Sequence, residues 1–269
     1  MLVRFARFVS AGGVSFGVVE GEAAAGRSGL TVAEISSLPF ETVRFTGQRW
    51  ALADVRLLAP IFSSKVIGVG RNYADHAAEL GNEVPKEPLI FIKPSTSVIG
   101  PNDAIRLPPQ STQVEHEAEL AVVIGATGAR RVDRAGAERA IFGYTCGNDV
   151  TARDLQRSDP QWTRAKGFDS FCPLGPWIVT DLDVRDLEVR CEIGRDPDAM
   201  ELRQLGRTKD MIFDVPTLVS YVSHVMTLLP GDVILTGTPA GVGPIEPGET
   251  VSVSIQGIGE LANPVVSLE

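Results

Sequence analysis

The segment VEHEAELAVVIG places Glu115, Glu117 and Glu119 at alternate positions, the spacing that a β-strand turns toward one face. The opposite phase, Ala118, Leu120, Val122 and Ile124, is continuously apolar, so this strand is expected to pack one face on a core. Carboxylates on the other face must be solvated, paired with cations or bound to metal. By itself such a pattern reads as a wet sheet face. A further carboxylate, Asp149, ends the β-rich run AIFGYTCGNDV and can be delivered from a neighbouring strand. Three carboxylates without thiolates are hard oxygen ligands, suited to Mg²⁺, Mn²⁺ or Ca²⁺ rather than Zn²⁺.

Acid/base chemistry points to GRNYADHAAELGNE, which reads as a short helix from Tyr73 to Leu80, with Asn72 as N-cap and Gly81-Asn82 as its stop. His76 and Glu79 are then i, i+3 neighbours, and a carboxylate beside an imidazole can orient it and raise its basicity. The plainer reading is an exposed helical His/Glu pair. Of the other histidines, His116 is expected to face away from the acidic side chains and His224 to be a packing residue. Lys166 in TRAKGFDSF is a surface charge unless an active site adjoins it, where it would meet anionic oxygen. In LTGTPAGVG, backbone N–H groups and Thr238 can approach an anion, although an ordinary tight turn fits as well. GVSFG has the nucleophile-elbow pattern around Ser15, but in a hairpin rather than a strand-to-helix turn, and is set aside. GVGRNY lacks the third glycine of a dinucleotide site; its Arg71 can still fork onto a carboxylate.

These side chains must be carried by a scaffold made mostly of strands. LVRFARFV and VSFGVVEG, joined at SAGG, form a predicted hairpin within a small N-terminal β-rich domain over residues 1–60. Residues 61–269 are expected to form a larger unit, which carries the candidate site residues. There, runs such as KVIGVG, PLIFIKP, AELAVVIG, GPWIVT, LEVRCEIG, DVILTGTP and TVSVSI are punctuated by turns. Besides the His76 segment, helices are predicted at Arg134–Ala140 and at Val215–Met226, where Leu218, Val219, Val222 and Val225 share a face. Strands and long helices do not alternate, which disfavours a doubly wound sheet and predicts a strand-rich α+β fold. EAAAG reads as a surface loop. Tyr73 to Pro88, poor in apolar residues, reads as a mobile lid carrying His76 and Glu79.

Composition closes off other classes. A net charge of −9 and a pI near 5.0 repel polyanions, so nucleic acid is not an expected partner. No apolar run approaches the ~20 residues of a spanning helix, and no signal-peptide pattern opens the chain, so cytoplasmic residence without membrane contact is expected. Cys146, Cys172 and Cys191 are widely spaced and read as reduced packing residues.

Taken in order, VGRNYADHAAE, IFIKPSTSVIGP, VEHEAELAVVIG, GYTCGNDVTARDLQ, QWTRAKGFDSFCPLGPW, DVPTLVSYVSHVMTLLPGDVILTGTPAGVGP and GIGELANPV resemble the fumarylacetoacetate hydrolase family across roughly residues 60 to 265. The resemblance is to its short acylpyruvate hydrolase, oxaloacetate decarboxylase and 2-hydroxyhepta-2,4-diene-1,7-dioate isomerase branch. It implies a β-roll with few helices, assembled as a homodimer. It also implies that Glu117, Glu119 and Asp149 hold Mg²⁺ or Mn²⁺, with Glu115 outside the ligand set, and that His76 and Glu79 are the catalytic pair. Arg71, Gln156, Thr238 and Lys166 would surround a small 2-oxo acid or dicarboxylate, with Lys93 and Ser95 close by. Acylpyruvate C–C hydrolysis, oxaloacetate decarboxylation and dienedioate isomerisation all fit one metal-stabilised enolate. The rival from another class is a noncatalytic metal-binding protein that retains the fold.

Overall fold

The computed structural model describes residues 2–21, 29–79, 81 and 83–268. The expected EAAAG loop, Leu80 and Asn82 lie outside the described residues. The backbone of the molecule is one large mixed sheet. Its strands run in the order Phe45–Ala51, Thr31–Ile35, Gly13–Glu20, Arg4–Ser10, Cys172–Val179, Ile141–Asn148, Ala118–Ile124, Val233–Leu235, Val66–Gly70 and Leu89–Lys93. Neighbours are antiparallel except for Val233–Leu235 beside Val66–Gly70. The predicted hairpin is present, with Ser10 opposite Gly13 across its turn. Its first strand pairs with Cys172–Val179, which joins the N-terminal strands to the same sheet as the rest of the chain.

A second sheet of five strands, Glu201–Arg207, Glu188–Gly194, Thr250–Ile255, Gly259–Ser267 and Ile105–Leu107, covers one face of the first. Leu120, Val122 and Ile124 meet Val189, Cys191 and Val253 in the core between the two layers. On the other face, Ala121 and Val123 pack with Leu174, Ile178, Val66 and Leu235. The strand Ala118–Ile124 is therefore buried on both faces, and the half-wet strand expected from its alternation is corrected. Its length is corrected too: Val114–His116 belongs to a separate three-stranded sheet with Thr151–Ala152 and Gly243–Pro244, and Glu117 is the joint between the two strands.

The helices are short: α1 (Ala74–Glu79), α2 (Arg134–Ala140), α3 (Arg153–Ser158), α4 (Thr163–Lys166) and α5 (Val215–Val225). The second has the predicted bounds and the fifth stops one residue earlier than expected. Asp133 and Asp214 cap α2 and α5 by accepting hydrogen bonds from Gly136 N and Thr217 N. On α5, Val215, Leu218, Val219 and Val222 are buried, but Val225 and His224 face outward, so neither is the packing residue expected. Asn72 does not cap α1. Its amide instead donates to Phe213 O and Thr236 O and accepts from Phe213 N, fastening the approach to α1 onto the chain ahead of α5. All three cysteines are free and buried. Among the described residues, no helix is long and apolar enough to cross a membrane.

Candidate active site and metal centre

The register of the central sheet assembles the carboxylates. Ala118 stands opposite Asn148, so the residues just beyond that pair, Glu117 and Asp149, fall side by side. Asp149 N donates to Glu117 O (2.9 Å), and Glu117 N donates to Asn148 Oδ1 (3.0 Å). One oxygen from each of Glu117, Glu119 and Asp149 lies within 4.8 Å of the others, and all three residues are buried. Glu115 is also buried, but it is held apart by Arg153 Nε (2.7 Å) and Gln113 Nε2 (2.6 Å).

Buried carboxylates demand compensation, and the chain supplies it from three sides. Lys166, at the end of α4, donates to Glu117 Oε2 (2.7 Å) and Asp149 Oδ2 (2.6 Å). Lys93, fully buried at the end of its strand, takes the other Asp149 oxygen and donates to Val150 O (3.2 Å). Arg153, the first residue of α3, reaches Glu117 Oε1 (2.6 Å) and Gln156 Oε1 (2.6 Å) as well as Glu115. Burial pushes the Glu117 carboxyl up, but the charges of Lys166, Arg153 and His76 outweigh it and hold it well below the usual range. Glu119 goes the other way: burial, then the charges of Asp149 and Glu117, raise it well above the ordinary value. Its hydrogen-bond donor is the backbone of Gly237 (2.6 Å), with no lysine or arginine salt-bridged to it among the described residues.

The donor set fits a hard divalent cation: three carboxylates, no sulfur, and Glu119 facing two other carboxylates without a salt bridge of its own among the described residues.

The His76–Glu79 pair lies at the same cavity. His76 is buried and lines it, and its Nδ1 is 3.2 Å from Glu79 Oε2. Glu79 Oε1 accepts from Gly241 N (3.0 Å). The glycine-rich turn thus does present backbone N–H groups to anions, but the anions are the protein's own Glu119 and Glu79. Both glycines take positive φ, 96° at Gly237 and 98° at Gly241, and a Cβ on Gly241 would stand 2.2 Å from Arg203 O. The cavity, about 310 Å³, is closed by Val69, Gly70 and Trp162 on one side and carries Arg71, Gln156, Arg157 and Thr238 around it.

Arg71, His76, Glu117, Glu119, Asp149, Gln156, Lys166 and Thr238 line one cavity, Glu79 braces His76, and Lys93 adjoins it through Asp149, whereas Ser95 is exposed and is not among the residues that line it. Arg153, Trp162 and Arg157 were missed. The signal for Arg153 is charge balance, since buried acids require buried cations, and it becomes readable only once the burial of those acids is known; Arg153 follows Asp149 by four positions. His116 does face away, with Nδ1 2.9 Å from Gln204 Oε1.

Residues 65–266 match the family described as Fumarylacetoacetate (FAA) hydrolase C-terminal, and residues 3–60 match Rv2993c-like, N-terminal. The chain belongs to the fumarylacetoacetate hydrolase family. A solved structure of 2-hydroxyhepta-2,4-diene-1,7-dioate isomerase from Mycobacterium marinum is 54% identical, superposes with a TM-score of 0.90 and is covered over 98% of each chain. The mitochondrial oxaloacetate decarboxylase of Dictyostelium discoideum is 44% identical over 205 residues, 72% of this chain and 89% of that protein. Fumarylpyruvate hydrolase from Pseudomonas aeruginosa, solved with Mn²⁺ and pyruvate, is 33% identical with a TM-score of 0.70, over 79% of this chain and 92% of that one. Hydrolases, decarboxylases and isomerases share this fold, and the β-rich architecture with few helices is that of the fumarylacetoacetate hydrolase family.

Proposed function

We propose that this chain is a Mg²⁺- or Mn²⁺-dependent enzyme of small 2-oxo acids, catalysing acylpyruvate C–C hydrolysis or oxaloacetate decarboxylation. The observation that carries the reading is the meeting, in one cavity, of the Glu117, Glu119 and Asp149 cluster with a buried histidine braced by a carboxylate. A divalent cation held by those three residues would supply electrophilic polarisation of a 2-oxo carboxylate.

The remaining chemistry falls to the side chains. Glu79 accepts from Gly241 N and so holds its charge toward His76 Nδ1–H, which leaves Nε2 as the nitrogen that exchanges a proton with ligand or water. In hydrolysis that nitrogen takes a proton from the water attacking the 4-oxo carbon; in decarboxylation it returns one to the carbon that has lost CO₂. The Lys166 ammonium stands where anionic oxygen would collect, and Arg71, Gln156 and Thr238 form the surrounding wall. A second reading, isomerisation of a 2-hydroxydienedioate, is favoured by the 54% identity to a structure bearing that activity's name, and it needs only proton transfer by the same pair. The family homodimer and a cytoplasmic setting belong to the same proposal; a monomer in sedimentation at working concentration would set the dimer aside.

The test is turnover by protein stripped with EDTA and reloaded with Mg²⁺ or Mn²⁺, first on oxaloacetate and then on acylpyruvates and hydroxydienedioates. Metal-dependent turnover of at least one is expected. Mn²⁺ bound by the triad with no turnover of any would replace this reading with that of a noncatalytic metal-binding protein.

A further inference from the structure

Gln204 lies outside the cavity, fully buried in the strand Glu201–Arg207, and bridges the two sheets beneath it. Its Oε1 accepts from Ala118 N (3.0 Å), and its Nε2 donates to Pro239 O (2.8 Å) and to Thr238 Oγ1 (2.7 Å). A backbone donor at one end and a backbone acceptor at the other leave the amide one orientation. The His116 ring follows from it: Nδ1, 2.9 Å from Oε1, carries the hydrogen. The Thr238 hydroxyl follows as well. It accepts from Gln204 and lies 2.9 Å from Ala118 O, a carbonyl that can only accept, so its single hydrogen is committed there. What Thr238 retains for the cavity it lines is one lone pair. Turning the hydrogen toward a ligand would strip Ala118 O of its hydroxyl partner inside the protein.

We infer that Gln204 is a positioning residue which fixes the Thr238 hydroxyl as a hydrogen-bond acceptor, so that this wall of the site prefers a ligand bringing an O–H, a 2-hydroxy or enol group, over one bringing a carboxylate or keto oxygen. The inference deepens the proposed function and rests on its placement of a 2-oxo acid in this cavity. It also sets the direction of selectivity among tautomers: the enol form donates to Thr238, whereas the keto form meets a lone pair. The anion-binding role expected for Thr238 then passes to Lys166, Arg71 and Arg157.

The test uses two small unreactive ligands of the Mn²⁺-loaded enzyme, glycolate, which has a 2-hydroxyl, and oxalate, which at neutral pH has acceptors only. Their dissociation constants are compared within each variant, so that differences in chelation cancel. Thr238→Val should weaken glycolate roughly fivefold, the worth of one hydrogen bond, and leave oxalate unchanged or tighter. Thr238→Ser should keep the wild-type ratio, and Gln204→Met should shift the ratio toward oxalate by freeing the hydroxyl to rotate. An unchanged ratio in Thr238→Val, or equal weakening of both ligands, overturns the inference even if Gln204→Met fails to fold. Failure of oxalate to bind the loaded wild-type enzyme removes the reading of the cavity as a 2-oxo acid site, and the inference with it, whereas failure of glycolate alone overturns the inference and leaves that reading standing.

Discussion

At Lys166 two demands on one residue conflict. Its ammonium bridges Glu117 and Asp149, two of the three proposed cation ligands, and so competes with a cation for the same lone pairs. Lys93 is enclosed and holds the other Asp149 oxygen, which leaves Lys166 as the group that gives way. Lys166→Met should therefore tighten Mn²⁺ binding, by severalfold in titration calorimetry, while lowering turnover through loss of a cation beside anionic oxygen. Weaker Mn²⁺ binding in that variant would mean that Lys166 arranges the carboxylates rather than competing for them. Glu119→Gln should weaken the metal, since it replaces a proposed ligand to which no lysine or arginine is salt-bridged among the described residues. Glu79→Gln should spare it: Glu79 touches His76 and Gly241, so the expected result is retained Mn²⁺ affinity with kcat lower by roughly 10² to 10⁴, the range for a compromised general base. Parallel loss of metal binding and turnover would make the pair scaffold. At this scale most of the candidate site was legible through the ordered motifs of the family resemblance, whereas spacing alone reads Glu115, Glu117 and Glu119 as a wet sheet face and His76 with Glu79 as an exposed pair. Arg153 was not legible, since a lone arginine reads as a solvated charge until the acids around it are known to be buried.

Among the elements, those with long repeats were read well and the shortest were not. The α5 pattern reached Val222 and failed at Val225 because nothing in a periodicity tells where the neighbouring core stops covering a helix. Helices of four and six residues, α4 and α3, carry too few turns to show a period, yet they deliver Lys166 and Arg153. The break at Glu117 was hidden because Glu115, Glu117 and Glu119 keep perfect alternation across two strands of different sheets. The segment expected to be a lid is pinned at its start: Tyr73 and Ala77 are buried and Asn72 is braced, whereas residues 83–87 are largely exposed. Hydrogen exchange should accordingly show the amide of Ala77, bonded to Tyr73 O, protected without ligand, with any gain on adding Mg²⁺ and oxalate confined to the stretch after α1. Fast ligand-free exchange at Ala77 would restore a lid that includes the helix. For α5, Asp214 caps the N-terminus and is paired with Arg134 (2.5 Å), which holds its carboxyl down at about 2. A depressed folded-state value contributes stability above the unfolded carboxylate range, lost as pH falls toward 2. Because Asp214 is half exposed, solvent screens the ion pair, and Asp214→Ala should cost about 1 kcal/mol, mostly the cap. In urea melts the difference should persist at pH 7 and shrink near pH 2; a constant difference across that range would assign the loss to packing alone.

For the molecule as a whole, the question is whether the strands before residue 60 are an appendage or part of the sheet that holds the site. Sequence patterning suggests a small unit of its own, since its hairpin is local and its motifs differ from those that follow. The pairing is not local: Phe5 stands opposite Ile178, and the Phe5 ring packs on Phe142 at 5.4 Å, beside Leu174 and Cys172 in the core below the central sheet. Long-range pairing of this kind leaves no trace in a window of ten or twenty residues, which is why the sheet order could not be read from the chain. Removing residues 2–60 would strip Ile178 and Val179 of their antiparallel partners, while Cys172 and Pro173 keep Val98 and Ile99, and would uncover the apolar cluster that Phe5 and Ile35 complete around Cys172, an invitation to pair with other chains. The cluster so uncovered carries its own probe. Burial pushes the Cys172 thiol up to about 12, so in the intact protein it should not react with a thiol reagent at neutral pH. A chain of residues 61–269 should instead aggregate or melt at a markedly lower temperature, and whatever remains soluble should label at Cys172 within minutes. The same chain recovered monodisperse, with unreactive thiols and metal-dependent turnover intact, would show that the catalytic layers close without the N-terminal strands and that their pairing with Cys172–Val179 serves something other than stability.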